Sequence, residues 1–247
     1  MTDFMYRCCP AARTGSAWAS SAGRNADATV CSLTNRLHHA AREMTSDSAL
    51  IAPHTPWTPA KSVVISRRHG PWHDRGVRTL TTERLTLRPW HLDDADFVFD
   101  MYARDEVQRY LGRNPTVLQH REQAVATIER WTALAHPIRH IWAIERTADG
   151  HLLGTLLLKP IPASQGLELN DTEIGWHLHP DAWGHGYATE AARAALEFGL
   201  AAGLTKVVAV TYPENTASQA VATRIGMRCL GLSSAYYDLD CMLFEAP

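Results

Sequence analysis

The sequence of 247 residues has no apolar run close to the ~18 residues that a membrane-spanning helix needs. It has five cysteines, and none of them forms the Cys-x-x-Cys pair typical of zinc sites. Lys and Arg number 24 against 26 Asp and Glu, so the basic excess of a nucleic-acid-binding protein is missing. These absences predict a cytoplasmic protein with reduced thiols that binds neither membranes nor nucleic acids.

The charges divide the chain into two segments. Residues 1–78 carry ten Lys or Arg and five Asp or Glu, a net charge of +5, whereas residues 79–247 carry a net charge of −7. The first segment is rich in Ser, Ala, Arg and Pro, and its apolar residues follow neither a helix nor a strand period. We therefore predict a disordered basic extension over 1–78 and a folded domain over 79–247. A true translation start further downstream, for instance at Met44, is an alternative explanation of the extension.

Hydrophobic periodicity in the second segment predicts seven strands and four helices. The predicted strands cover 80–90, 140–146, 152–158, 172–178, 206–211, 227–232 and 235–244, and the predicted helices cover 92–102, 118–135, 188–202 and 215–225. This order predicts an α+β domain with a mixed, mostly antiparallel sheet and helices on both faces.

One stretch, Glu173–Gly199, reads as a strand, a loop with Gly184 and Gly186, and an alanine-rich helix. The first backbone N–H groups of a helix have no intrahelical acceptor, and the helix dipole favours negative charge there. Glycines let the backbone close around an anion. The stretch therefore predicts a phosphate-binding turn.

Two common nucleotide-binding motifs do not fit this turn. A dinucleotide fingerprint needs a third glycine, and Thr189 occupies that position. A P-loop needs Gly-Lys followed by Ser or Thr, which the sequence lacks. The histidines around the turn (His177, His179 and His185) do not have the spacing of a convergent metal-ligand set, so no metal is expected.

The turn resembles the coenzyme A signature of the Gcn5-related N-acetyltransferase (GNAT) superfamily. Glu173–Thr189 carries Trp-Gly-x-Gly-Tyr-Ala followed by Thr-Glu-Ala, which is similar to the RimJ/RimL-like ribosomal-protein N-terminal acetyltransferases. Asn215-x-x-Ser218, with Gly226 and Met227 downstream, and the strand Thr82–Pro89 resemble further motifs of that branch. The resemblance covers about residues 80–244.

The resemblance implies a sheet splayed between its fourth and fifth strands, with acetyl-CoA as co-substrate and no metal. The pantetheine arm would meet the backbone of Trp176, and the pyrophosphate would bind the turn that follows. The residues implied in cofactor binding are Trp176, His177, Leu178, Gly184, His185, Gly186, Tyr187, Ala188, Thr189 and Asn215.

The resemblance also implies catalytic roles. Ser218 would donate a hydrogen bond to the departing sulfur, and Glu173 is the candidate general base, acting directly or through a water. The chain departs from the family pattern at Ala222, where many members carry a tyrosine, and at Asp181, an acid near the phosphate turn. Four residues of the last predicted strand are alternative catalytic groups: Tyr236, Tyr237, Asp238 and Asp240.

The expected activity is acetyl transfer from acetyl-CoA to a primary amine, either the α-amine of a protein or peptide N-terminus or a small-molecule amine. An aminoglycoside- or polyamine-type acetyltransferase and a non-catalytic CoA-binding module are the alternatives. The expected partner is the amine acceptor, and the expected assembly is a monomer or a homodimer.

Overall fold

The computed structural model describes residues 64–65, 77–134 and 136–246, with the backbone alone at 64–65. Apart from 64–65 and 77–78, the predicted extension 1–78 lies outside the described residues. Its disorder and the domain boundary at residue 79 therefore stay predictions.

Nine strands of the described residues form one sheet in the order β1-β2-β3-β4-β5-β6-β7-β9-β8. β6 and β7 pair in parallel, and the other neighbouring pairs are antiparallel, as predicted. The strands are β1 (Val64–Ile65), β2 (Leu80–Thr81), β3 (Leu85–Arg88), β4 (His140–Arg146), β5 (Leu152–Pro160), β6 (Thr172–Leu178), β7 (Val207–Thr211), β8 (Arg228–Ser233) and β9 (Cys241–Glu245).

Helices cover both faces of this sheet, as predicted. The α-helices are α1 (Ala95–Tyr102), α2 (Asp105–Gln108), α3 (Arg121–Thr132), α4 (Tyr187–Ala201) and α5 (Thr216–Arg224). One hydrophobic core joins α4 and α5 to the sheet, and a second core joins α1–α3 to the opposite face. Because alternate residues of a strand point to opposite faces, β4 and β5 contribute to both cores.

Four elements differ from the sequence prediction. β1 lies inside the segment 1–78 that was predicted to be disordered, and it pairs with β2. The first predicted strand divides into β2 and β3, because the chain turns at Thr82, whose backbone N–H bonds Leu85 O at 2.8 Å. Helix α2 has four residues, too few to show a helical period. β9 begins at Cys241 and not at 235, because Tyr237 and Asp238 have φ angles of 61° and 53°. Such left-handed backbone costs non-glycine residues about 1–3 kcal/mol each and interrupts a strand.

Candidate active site

The two parallel strands β6 and β7 pair only at their beginnings in the described structure. Thr172 lies opposite Val207 and Glu173 lies opposite Val208, and the ladder ends there although β6 continues to Leu178. The backbone of β6 beyond Glu173 therefore keeps an edge toward β7 that can pair with an extended ligand. This parting of the strands is the predicted splay between the fourth and fifth strands.

Helix α4 begins next to this parting, at the predicted phosphate turn. Gly184 and Gly186 both have φ angles of +79°, and Gly186 is the N-cap of the helix. A glycine cap has no side chain to accept from the first-turn N–H groups, so these donors point toward the space in front of the helix. The two glycines are required because other residues rarely adopt this conformation.

An ion pair that sequence reasoning missed holds this turn. Arg84 donates through Nε to Glu190 Oε2 at 2.7 Å and through Nη1 to the carbonyl of His185 at 3.1 Å. Its guanidinium also lies 4.8 Å from the ring centroid of Tyr187. Thr82 donates its hydroxyl to Glu190 Oε1 at 2.6 Å. The β2–β3 turn thus fixes the start of α4 and places a cation beside its free N–H groups.

A cleft of about 1310 Å³ lies between the end of β6 and the starts of α4 and α5. Nine of the ten residues predicted to bind the cofactor line it, together with Ser218. They are Trp176, His177, Leu178, Gly184, Gly186, Tyr187, Ala188, Thr189 and Asn215. The tenth, His185, is exposed and stacks on the Tyr187 ring with centroids 5.5 Å apart.

Asn215 and Ser218 meet at the start of α5. Asn215 Oδ1 accepts the backbone N–H of Ser218 at 3.1 Å, so the Asn215 side chain caps the helix and orients the first turn. Both residues are half-buried at the cleft wall. Ala222, one turn further, is fully buried in the core. Position 222, where the family resemblance implies a tyrosine in many members, therefore holds a small side chain that packs in the core.

Glu173 lies at the end of the β6–β7 ladder, is 8% exposed and is not among the residues that line the cleft. Its Oε2 forms an ion pair with Lys159 Nζ at 2.7 Å and accepts a hydrogen bond from the Tyr237 hydroxyl at 2.5 Å. Of the four predicted alternative groups, Tyr237 thus reaches this site. Tyr236 donates instead to Asp171 Oδ2 at 2.5 Å, and Asp238 accepts the backbone N–H of Gln165 at 2.7 Å. Asp240 is exposed.

His177 lies on the same face of β6 as Glu173 and lines the cleft. Its Nδ1 lies 2.8 Å from the hydroxyl of Tyr102, which donates to Thr155 Oγ1 at 3.1 Å. Burial lowers the pKa of His177 to about 4, so the imidazole is neutral at pH 7. His177 therefore gives the cleft a hydrogen-bonding group that carries no charge. The sequence predicted only a backbone role for this residue.

His179 and Asp181 contact each other at the edge of the turn. His179 Nε2 lies 3.0 Å from Asp100 Oδ2, and its Nδ1 accepts the backbone N–H of Asp181 at 3.2 Å. The Asp181 carboxylate lies 3.5 Å from the same Nδ1 and is 87% exposed. No group of three or more His, Cys, Asp or Glu side chains able to hold a metal occurs in the described part of the chain.

The comparisons with known proteins agree with this architecture. A family model described as an acetyltransferase (GNAT) domain matches residues 84–228, more than half of the chain. The chain therefore belongs to the GNAT acetyltransferase family. The Bacillus subtilis protein YoaA, described as an uncharacterized N-acetyltransferase, is 31% identical over 64% of this chain and 86% of its own length.

Two solved structures show the same fold. An acetyltransferase from Agrobacterium tumefaciens is 26% identical, with a TM-score of 0.57 over 70% of this chain and 95% of that one. RimJ from Mycobacterium smegmatis, solved with CoA-disulfide, is 24% identical, with a TM-score of 0.54 over 65% of this chain and 80% of that one.

Family membership makes the chain an acetyl-CoA-dependent N-acetyltransferase, with acetyl-CoA as its acetyl donor. The predicted enzyme class is confirmed. Among the helices of the described residues, none is both long and apolar enough to cross a membrane.

Proposed function

We propose that this enzyme acetylates a weakly basic primary amine, the α-amine of a peptide or protein N-terminus. The observation that carries this proposal is the carboxylate of Glu173, which lies where β6 and β7 part and forms an ion pair with Lys159 among the described residues. A carboxylate that is already paired with a cation suits an acceptor that loses its proton easily.

The cleft fits the donor in three respects. The edge of β6 beyond Glu173 can pair with the amide groups of the pantetheine arm, as a further strand would. The N–H groups at the start of α4, with Arg84 beside them, suit the pyrophosphate. The volume of about 1310 Å³ exceeds the 300–1,000 Å³ of ordinary ligand sites, which leaves room for a second substrate.

The reaction needs an unprotonated nitrogen. In the proposed mechanism the amine attacks the thioester carbonyl, a C–N bond forms and the C–S bond breaks. Glu173 takes the surplus proton of the nitrogen, directly or through a water, and later releases it to solvent. Ser218 donates a hydrogen bond to the departing thiolate, which then takes up a proton as free CoA.

The acid strength of the acceptor favours an α-amine. With a pKa of ~8, roughly a tenth of an α-amine is neutral at pH 7, whereas a lysine amine with a pKa of ~10.4 is neutral by a few parts in ten thousand. The difference corresponds to roughly 3 kcal/mol of deprotonation that a lysine-acetylating site must supply. Glu173 already contacts Lys159 and Tyr237, so we do not expect it to supply this free energy alone.

We place the enzyme in the RimJ/RimL-like branch because Ser218 and the Thr82–Pro89 strand match that branch. A small-molecule amine is the second candidate. It is favoured by an Aspergillus fumigatus relative named FsC-acetyl coenzyme A-N(2)-transacetylase, which is 28% identical over 60% of this chain and 64% of its own length.

Free-thiol release from acetyl-CoA tests the proposal with a panel of acceptors. We expect the highest kcat/KM with peptides that have a free N-terminus, and background rates with the same peptides after N-terminal formylation. Higher kcat/KM with a polyamine or an aminoglycoside than with every peptide would contradict the peptide assignment.

Replacing Ser218 by Ala tests the role of its hydroxyl. We expect kcat to fall roughly 10- to 100-fold, the value of a hydrogen bond to a charged group. The Kd for CoA should stay unchanged, because the Asn215 side chain caps α5 through the backbone of residue 218. Thr223→Ala is the control, since that hydroxyl is on the same helix and bonds Gln219 O. Equal kcat in the two variants would remove Ser218 from the mechanism.

A further inference from the structure

Lys159, Glu173 and Tyr237 form a closed cluster of three mutual contacts. Lys159 lies directly opposite Glu173 in the β5–β6 ladder, and its Nζ is 2.7 Å from Glu173 Oε2. The same Nζ donates to the Tyr237 hydroxyl at 2.8 Å, and that hydroxyl donates to Glu173 Oε2 at 2.5 Å. The Lys159 and Glu173 side chains are 18% and 11% exposed, so these contacts are shielded from water.

The chain adopts an unfavourable backbone to bring Tyr237 there. Tyr237 and Asp238 are two consecutive non-glycine residues with left-handed φ angles, in a loop where glycine or asparagine would adopt that shape more easily. Strained backbone of this kind is concentrated at functional sites. The strain is maintained because the loop is fastened on the other side of the turn.

Three hydrogen bonds fasten the turn to the 161–170 loop. Tyr237 N donates to Pro162 O at 3.2 Å, and Asp238 N donates to Ser164 Oγ at 2.9 Å. Gln165 N donates to Asp238 Oδ1 at 2.7 Å. These bonds hold the turn in the conformation that brings the Tyr237 hydroxyl to Glu173.

Both contacts to Glu173 fall on one carboxylate oxygen. Oε2 takes the ammonium and the hydroxyl, and Oε1 accepts no hydrogen bond from the described residues. Two contacts on Oε2 restrict the rotation of the carboxylate, and Oε1 remains able to accept a proton. Holding a base within a fraction of an ångström of its working position contributes strongly to rate.

We propose that Lys159 and Tyr237 are positioning residues that hold Glu173 by Oε2, so that Oε1 receives the proton of the attacking amine. This inference rests on the proposed role of Glu173 as general base. In the step itself the proton moves from nitrogen to Oε1 as the C–N bond forms, while Lys159 and Tyr237 keep their own protons.

The other titratable neighbours of Glu173 bear on how the pH dependence of kcat is interpreted. Besides Lys159 and Tyr237, it interacts with His177 on its own strand and with Cys241 on β9. Burial lowers the pKa of His177 to about 4. Burial and the charges of Asp240 and Glu173 raise the pKa of the Cys241 thiol above its ordinary value of 9.0. Neither group changes charge between pH 5 and 8, and the acceptor amine is the same for every variant, so a difference between the pH profiles of two variants reflects the substitution itself.

The test compares kcat, KM, the Kd for CoA and the pH profile of Tyr237→Phe and Lys159→Met with those of the wild-type enzyme. We expect kcat to fall roughly 10- to 100-fold in each variant, with little change in the Kd for CoA. The acidic limb of kcat should also shift relative to the wild type, because each variant removes a group that contacts the Glu173 carboxylate. Lys159→Arg keeps the cation and should recover part of the lost rate.

Tyr236→Phe is the matched control. It removes a hydroxyl from the neighbouring residue whose hydrogen bond goes to Asp171, so its kcat and pH profile should equal those of the wild type. If Lys159→Met does not fold, as judged by circular dichroism, Tyr237→Phe decides the question alone.

The variants distinguish failure of the proposed role of Glu173 from failure of the positioning role of Lys159 and Tyr237. Wild-type activity of Glu173→Gln would overturn the proposed function of Glu173 and this inference with it. An inactive Glu173→Gln together with a wild-type kcat in Tyr237→Phe would overturn this inference only. A lower kcat with an unmoved acidic limb would also overturn it, since that result indicates a structural role for the cluster.

Discussion

Replacing Glu173 by Gln is expected to lower kcat for acetyl transfer roughly 10²- to 10⁴-fold, the usual contribution of a positioned general base. Glutamine has the same length and can still accept hydrogen bonds from Lys159 and Tyr237, but its amide does not take up a proton at neutral pH. The variant therefore removes the proton acceptor and retains the shape of the site. Stopped assays of acetyl-peptide formation at saturating substrates give kcat, and calorimetric titration with CoA gives the Kd, which should change little.

The control for Glu173→Gln is Glu168→Gln, which removes an exposed carboxylate from the 161–170 loop. The two variants have the same net charge, so a general electrostatic effect on substrate attraction would appear in both. We expect wild-type kcat for Glu168→Gln. Equal kcat for the two variants would mean that no carboxylate at position 173 is needed.

Gly154→Ala is expected to be the most destabilising single-methyl change in the site region. Gly154 on β5 pairs with Leu178 on β6, and a Cβ there would lie 2.2 Å from His177 O and 2.8 Å from Leu178 Cα. Both neighbours are backbone atoms, so no side-chain rotation relieves the overlap, and β6 must move. We expect a loss of about 3 kcal/mol or more in the free energy of unfolding.

The same displacement should weaken CoA binding, because residues 177 and 178 line the cleft. Gly175→Ala on β6 is the control, since its Cβ would meet the end of the flexible Leu157 side chain at 3.1 Å. We expect this variant to lose about 1 kcal/mol or less. Urea denaturation followed by circular dichroism measures both values. Equal unfolding midpoints for the two variants would show that the β5–β6 contact at Gly154 is looser than described.

Local signals made the glycine turn before α4 predictable from sequence. Gly184, Gly186 and the alanine-rich α4 lie within one short stretch, and the glycines specify a backbone shape that the structure confirms. Hydrophobic periodicity likewise placed β4 to β7, whose apolar residues are buried in the two cores. These elements depend on interactions among near neighbours, which a sequence displays directly.

The surroundings of Glu173 were not predictable in this way. Lys159 is brought opposite Glu173 by the register of the β5–β6 ladder, and Tyr237 reaches it across a separation of 64 residues. The left-handed turn that places Tyr237 is held by contacts to the 161–170 loop. The turn contains no glycine from which it could have been predicted. The predicted strand over 235–244 failed at this point, because alternation of residue types cannot show that tertiary contacts override a strand.

The ion pair between Arg84 and Glu190 was not predictable from sequence either. The two residues are 106 positions apart, and their pairing depends on where the β2–β3 turn lies relative to α4. Each belongs to a recognisable motif of the sequence, yet neither motif indicates the other as its partner. The His177–Tyr102 contact, across 75 positions, was missed for the same reason.

The most direct test of the account is the position of the acetyl group on a peptide that offers both kinds of amine. A peptide with a free N-terminus and one internal lysine, incubated with acetyl-CoA and the enzyme, can be analysed by fragmentation mass spectrometry. The account predicts one acetyl group, on the N-terminal nitrogen, formed by the wild-type enzyme and at background rates by the Glu173→Gln variant. Acetylation of the lysine, or equal acetylation by both proteins, would contradict it.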